Sequence, residues 1–427
     1  MKRRIMAGMG ANSFGMAITI GIQLASLPLF LHYWDAASYG VWLMLSAIPS
    51  YLSMADVGMV TAAGNKMTMA TGKGDIAEAN RVFQSAQLFM AIVCGSLAVV
   101  VVPLVLWAPL PGIETTNQRV ALAAMSFSVL LSLFGGLSEA TFKATERYAT
   151  GTMLGNYARL GEWSGSMLGL ILAGSFSAVA LSALTMKLIG VIAGMLMASK
   201  GNHGLKWGFH AADRAEIHTM VKPAVSFMAF PLANALSLQG VTLIVGALFG
   251  PVSVAIFNTY RTIARLAVQV TAILSHAVWP EFSRLYGQGA MSALQNLYRR
   301  TSLLAAGQAI LLSLIIYFVS PLLLRLWTHG AIAFIPSLML WMLLYAAVAG
   351  TWHIPRVLLM STNQHISLAY WSLASGVLIV GLAWIMGHTF NLNGVAISML
   401  IGELAIAIVC GWLAFVAVKH DREVIPQ

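Results

Sequence analysis

Between Ser253 and Pro280 an apolar run carries four polar side chains, Asn258, Arg261, Arg265 and Gln269, at i, i+3, i+7 and i+11. At helical spacing they form one stripe. The run is long enough to cross a bilayer, so two guanidinium groups sit at membrane depth. Each costs roughly 2.5–3.5 kcal/mol if it faces lipid. The stripe must therefore face protein or a water-filled cavity. There it either binds an anion or pairs with acids to lock parts of the protein together.

Four more groups extend this chemistry. Arg159 and Lys187 are cations inside apolar runs, and Glu162 and Glu403 are deep carboxylates. The four cations outnumber the two acids, which favours an anionic ligand. Arg159 and Glu162 are i, i+3 and are able to neutralise each other, and Lys187 is a second partner for Glu162. Glu403 is either a structural carboxyl or an ion-coupling site, and Glu162 and Asp56 are further coupling candidates. Asp56, in Asp56-Val-Gly58, reads first as a helix-end contact. Asn234 and Gln239, with Gln23, suit sugar hydroxyls or interhelical hydrogen bonds. Glu139 and Lys143, i and i+4, read as a solvated pair.

These residues need a membrane scaffold to position them. The chain has 427 residues, 59% hydrophobic and 9% charged, with mean hydropathy +0.81. A soluble domain is about 25% charged, so this is an integral membrane protein. The net charge of +10 does not indicate nucleic acid, because the basic residues recur in short loops on alternate sides of apolar segments. Cys94 and Cys410 both lie within apolar runs, which predicts buried thiols. No Cys/His cluster has metal-ligand spacing, so neither metal nor disulfide framework is expected.

Hydropathy places twelve spans at about 12–33, 40–62, 84–107, 119–141, 150–173, 178–199, 223–249, 253–280, 301–326, 332–354, 366–387 and 393–418. Arg159, Lys187, Arg261 and Arg265 fall inside spans, and Arg119 and Arg325 at outer ends. The remaining Lys and Arg fall in cytoplasmic loops, span ends or termini, including Lys2, Arg3 and Arg4. The positive-inside rule then puts both termini in the cytoplasm. The fold expected is all-α, with residues 1–200 and 223–427 as six-helix lobes and 201–222 as a cytoplasmic linker. That linker carries an amphipathic, surface-lying stretch with Trp207, Phe209, Ile217, Met220 and Val221. Trp34, Trp42, Trp107 and Trp327 read as interfacial belts, and His276, His353 and His365 as interfacial residues.

The halves repeat. Gly72-Lys-Gly-Asp-Ile-Ala-Glu-Ala-Asn-Arg-Val-Phe83 aligns with Gly287-Gln-Gly-Ala-Met-Ser-Ala-Leu-Gln-Asn-Leu-Tyr298 at an offset of 215. Each copy reads as a Gly-rich turn leading into a helix, Asp75 with Glu78 forming a cap.

Three stretches carry a family resemblance: Tyr39-Gly-Val-Trp42 with Tyr51-Leu-Ser-Met-Ala-Asp56-Val-Gly58; Val221-Lys-Pro-Ala-Val-Ser-Phe-Met-Ala-Phe-Pro231; and Val254-Ala-Ile-Phe-Asn-Thr-Tyr-Arg261 running to Ala277-Val-Trp-Pro280-Glu281-Phe-Ser-Arg284-Leu-Tyr-Gly287. With the span count, the chain resembles the polysaccharide transporter family. These are the O-antigen and exopolysaccharide lipid flippases of the multidrug/oligosaccharidyl-lipid/polysaccharide exporter (MOP) superfamily, which also contains the MATE transporters. The resemblance implies two six-helix bundles in a V around a cavity that opens to either side in turn. It implies transfer of an undecaprenyl-diphosphate-linked oligosaccharide from the cytoplasmic to the periplasmic leaflet of a bacterial inner membrane. It further implies work beside a polymerase and a chain-length regulator, with no cofactor and with proton or sodium coupling as the candidate drive. On that reading Arg261, Arg265, Arg159, Lys187, Asn258, Gln269, Asn234 and Gln239 form the substrate set, the arginine fork suiting phosphate oxygens. An anionic sugar fits equally well.

Two other classes compete. A multidrug exporter for cationic drugs is expected to favour an acidic interior, against the excess of Arg and Lys. A membrane polymerase or ligase is expected to carry a sizeable outer loop with catalytic residues, against outer connections such as 250–252 and 388–392. Gly72-Lys-Gly lacks phosphate-loop spacing, so ATP chemistry is not expected.

Overall fold

The computed structural model describes residues 2–109, 113–200, 204–362 and 364–424. Among these are twelve α-helices and one π-turn. The first seven helices are α1 (Lys2–Tyr33), α2 (Ala36–Leu52), α3 (Met59–Gly72), α4 (Ile76–Trp107), α5 (Thr116–Ala144), α6 (Tyr148–Ala173) and α7 (Phe176–Ser199). There follow α8 (Arg214–Ala235), the π-turn (Leu236–Gly240), α9 (Val241–Gly287), α10 (Met291–Trp327), α11 (Pro336–Ser361) and α12 (Ile366–Val424). The side chains of Lys2, Arg3, Arg4 and His276 lie outside the described residues.

Eight segments are long and apolar enough to cross a membrane by length and composition alone. Two of them hold two spans each. α9 breaks at Gly250, where φ is 79° and ψ 178°, a conformation open to glycine and costly for other residues. α12 breaks at Phe390 and Asn391, the latter at φ 53°. α6 falls short because Arg159 and Glu162 interrupt it. The span expected over 40–62 is not one helix: α2 stops at Leu52 and α3 starts at Met59. Asp56 explains the stop. Its Oδ1 accepts from the Gly58 amide at 3.1 Å, while Val57 and Gly58 both take positive φ. Asp56 is thus a turn-forming residue.

The chain divides into two compact units, Met1–Trp34 with Leu45–Met228 and Asp35–Met44 with Ala229–Gln427. One division falls inside α2 and another inside α8. Unit 1 has a core of Met59, Met67, Phe83, Met90 and Leu137, all nearly inaccessible. Within it α6 meets α7 through small residues, since lipid supplies no hydrophobic drive between helices. A Cβ on Gly169 would lie 2.5 Å from the Ala178 carbonyl oxygen. Unit 2 has its own core of Phe282, Ile354, Leu358, Leu368 and Cys410. Cys94 and Cys410 are buried free thiols, as composition predicts.

The 215-residue repeat is present in the backbone. Gly74 N–H donates to Thr71, Asp75 to Ala70, Ile76 to Gly74 and Ala79 to Asp75. Gly289 donates to Tyr286, Ala290 to Leu285, Met291 to Gly289 and Leu294 to Ala290. Gly74 and Gly289 both take positive φ. Core positions follow the offset: Met67 and Phe282, Ala79 and Leu294, and Met90 and Ala305 are all buried. Asp75 Oδ1 caps α4 through the Glu78 amide at 2.8 Å.

Part of the stretch expected to lie on the membrane surface docks on α4. Asn80 Oδ1 accepts from Lys206 N at 2.8 Å, Gln87 Oε1 from Gly208 N at 3.0 Å, Gln84 Oε1 from Ala211 N at 2.6 Å and Ser85 Oγ from Asp213 N at 2.9 Å. Trp207 packs edge-on to Phe83, and Ile217 and Met220 join the unit 1 core. Phe209 stays exposed. Trp34 is not a belt residue: it is buried and its Nε1 donates to the Gly174 carbonyl at 2.5 Å. Trp107, 77% exposed, fits a belt.

Candidate functional site

Unit 1 gathers four of its charged residues, Glu139, Arg159, Glu162 and Lys187, into a neutral group. Lys187 Nζ is 2.7 Å from Glu162 Oε2, and Ser128 Oγ donates to Glu162 Oε1 at 3.3 Å. Arg159 does not pair with Glu162. Its Nη1 donates to Thr19 Oγ1 on α1 at 2.8 Å. Glu139 is not in a pair with Lys143, whose Nζ donates to Asn65 Oδ1 at 2.8 Å. It sits against α6, where a Cβ on Gly155 would be 2.9 Å from its Oε1, in electrostatic reach of Arg159 and Lys187. Two acids and two bases on α5, α6 and α7 therefore balance.

Unit 2 is different. Arg261 is 6% exposed. Its Nη1 donates to the Leu238 carbonyl at 2.7 Å and its Nη2 to Thr242 Oγ1 at 2.7 Å and to Asn258 Oδ1. Leu238 lies in the π-turn, whose widened backbone leaves a carbonyl that a side chain can reach. Arg261 thus staples the π-turn to α9, and Asn258, with its Nδ2 on the Val254 carbonyl at 3.0 Å, orients it. Gln239 is half-buried in the π-turn and Asn234 is exposed on α8. Gln269 is half-buried two turns beyond Arg261.

Arg265, one turn from Arg261, is half-buried. Among the described residues it has no hydrogen bond or ion pair, so its planar fork keeps its donors. Tyr345 on α11 lies in electrostatic reach of Arg265, Arg261 and Glu403. Glu403 Oε1 accepts from Trp352 Nε1 at 2.7 Å, and Arg356 acts on the same carboxylate. Hydropathy ends the span over 332–354 short of Arg356 and leaves it among the span-end basic residues, but α11 continues to Ser361. The signal available was its spacing: Trp352 and Arg356 are i, i+4, one turn apart on one face. Within 253–280, 336–361 and 393–418 unit 2 therefore holds Arg261, Arg265 and Arg356 against Glu403, while Glu281, Arg284, Arg299, Arg300 and Arg325 are further charged residues of its helices α9 and α10.

Among the described residues no group of three or more His, Cys, Asp or Glu has the arrangement to hold a metal ion.

No protein-family profile and no curated protein sequence matches the chain. Its fold is that of the MOP-superfamily transporters. One similar structure is an inward-facing multidrug resistance MATE family transporter of that superfamily, with TM-score 0.78 and 14% identity over 95% of this chain and 99% of that one. An outward-facing structure of a multidrug resistance MATE family transporter gives 0.70 at 14% identity, over 99% and 97%. A MOP-superfamily transporter from Pyrococcus furiosus, described as having a binding pocket of reverse polarity that suggests a different function, gives 0.70 at 13% identity, over 99% and 96%. The chain is a multi-pass membrane protein with the fold of these transporters.

Proposed function

We propose that the protein is a flippase that moves an undecaprenyl-diphosphate-linked oligosaccharide between leaflets of the bacterial inner membrane by alternating access, for polysaccharide assembly. The observation that carries this is the group of deep charges in α9, α11 and α12, where Arg261, Arg265 and Arg356 stand with Glu403 and Arg265 has no protein acceptor among the described residues. A low-dielectric site with uncommitted guanidinium groups favours an anion of phosphate type and disfavours a cation. Arg261 holds the π-turn and so fixes the helix on which Arg265 stands. Gln269, Asn234 and Gln239 offer donors and acceptors for glycan hydroxyls. Glu403 is the coupling candidate for a proton or sodium ion. Glu162 is already neutralised by Lys187, and Asp56 is engaged in its turn. The protein acts beside a polymerase and a chain-length regulator, with both termini cytoplasmic.

A second reading, a MATE-type exchanger of cationic drugs, is favoured by the fold shared with the multidrug transporters above. Transbilayer movement in liposomes separates the two. The flippase moves undecaprenyl-diphosphate oligosaccharide, and Arg265→Gln abolishes the movement without loss of folded protein. Exchange of cationic drugs for protons, with no lipid movement, overturns the proposal.

A further inference from the structure

The unit 2 charges fall in a line whose register can be read from side-chain contacts. α9 and α11 run parallel: the Tyr260 hydroxyl donates to the Ala333 carbonyl at 2.7 Å, a Cβ on Gly350 would be 3.4 Å from Thr271 Oγ1, and Gln364 Nε2 donates to the Tyr286 hydroxyl at 3.3 Å. Arg265 therefore stands six residues before the Thr271–Gly350 level and Arg356 six residues after it. At helical rise they are roughly 18 Å apart along the axis. Glu403 lies between them at the level of Trp352.

Arg356 acts on Glu403 through space, without a direct contact to its carboxylate. Its guanidinium carbon is 5.5 Å from the Phe230 ring centroid and 5.8 Å from that of Trp352. Glu403 takes its hydrogen bond from Trp352, and among the described residues Arg356 closes no ion pair or hydrogen bond of its own. A guanidinium held by ring faces, with its N–H edge unsatisfied, is set to receive an acceptor from outside the protein.

We infer that Arg356 is a second anion-binding position, separate from Arg265 and nearer the end of α11, which takes the phosphate-ester group of the substrate before it reaches Arg265. Glu403, between the two, repels an anion at either position and separates them. This inference rests on the flippase reading.

The test uses full-length protein in nanodiscs and a farnesyl diphosphate carrying a diazirine, with labelled peptides mapped by mass spectrometry. Wild type is expected to be labelled both around 258–269 and around 352–360. Arg356→Gln lowers labelling of the second segment about tenfold, the weight of one lost charge-assisted contact, and leaves the first unchanged. Arg265→Gln does the reverse. Arg356→Lys keeps the charge and retains more labelling than Arg356→Gln; equal loss in both overturns the inference. Glu403→Gln keeps the acceptor for Trp352 and raises labelling at both segments, which a purely structural Arg356 would not produce. Competition by inorganic pyrophosphate assigns the position to a free anion, and competition by farnesyl diphosphate alone to a lipid headgroup. Labelling of 258–269 without 352–360 in wild type overturns the second position and leaves the flippase standing. No labelling at either segment, with no lipid movement in liposomes, removes both.

Discussion

Replacing Arg261 by Ala removes donors to the Leu238 carbonyl, Thr242 and Asn258 together, leaving Thr242 Oγ1, 2.9 Å from the Leu238 carbonyl and 3.5 Å from Asn258 Oδ1, to serve both acceptors. The expected cost is about 2–4 kcal/mol, seen as a lower Tm in detergent. Arg265→Gln removes no hydrogen bond among the described residues and is expected to leave stability within about 0.5 kcal/mol of wild type while abolishing anion binding. The two neighbours on one stripe thus separate, one by stability and one by ligand. In unit 1, Lys187→Met leaves Glu162 without its ion pair. Both side chains keep some solvent, 19% and 31%, so the loss is expected to be about 1–3 kcal/mol. The double variant Lys187→Met/Glu162→Gln should recover most of it in a denaturation cycle. A double variant no more stable than Lys187→Met would show that the pair is not what holds α6 to α7 there.

Helices show which of these features a sequence can carry. The polar stripe on α9 was legible because only polar residues break a long apolar run, and the turn before α4 because Gly, Asp and Glu sit at fixed offsets. The break between α2 and α3 was not legible. Apolar residues flank it on both sides, and hydropathy does not register that Asp56 folds its carboxylate onto the Gly58 amide. Arg356 was missed for a related reason: the apolar window ends before the helix does. Whether Glu162 chooses Arg159 or Lys187 depends on helix packing that no spacing rule encodes. At this scale the α6–α7 contact is the most exposed to test. Gly169→Leu drives a side chain into the Ala178 carbonyl and is expected to reduce the yield of folded protein sharply in size-exclusion profiles. Gly95→Ala, with open space around its Cβ, should be neutral.

Across the molecule the deep charges are grouped differently: in unit 1 Arg159 and Lys187 stand with Glu139 and Glu162, and in unit 2 Arg261, Arg265 and Arg356 stand with Glu403. Neutralising Glu139 and Glu162 together would not raise the affinity of unit 2 for anions, whereas Glu403→Gln would. Binding of farnesyl diphosphate to the two variants checks this. Equal gains in both would mean that anion affinity follows net charge and not the arrangement around Trp352.

The docking of Leu205–Asp213 on α4 bears on how the chain is made. Gln84, Ser85 and Gln87 wait in a helix completed more than a hundred residues earlier, so the first unit closes only when Trp207 and Met220 have left the ribosome. A fragment ending at 200 would lack the last pieces of its own core, and one ending at 228 would carry them. Co-expressed halves divided at 228 should therefore accumulate in the membrane where halves divided at 200 are degraded. The first fragment would still hold residues 35–44, which belong to the fold of the second, so the two polypeptides would be retained together on an affinity column.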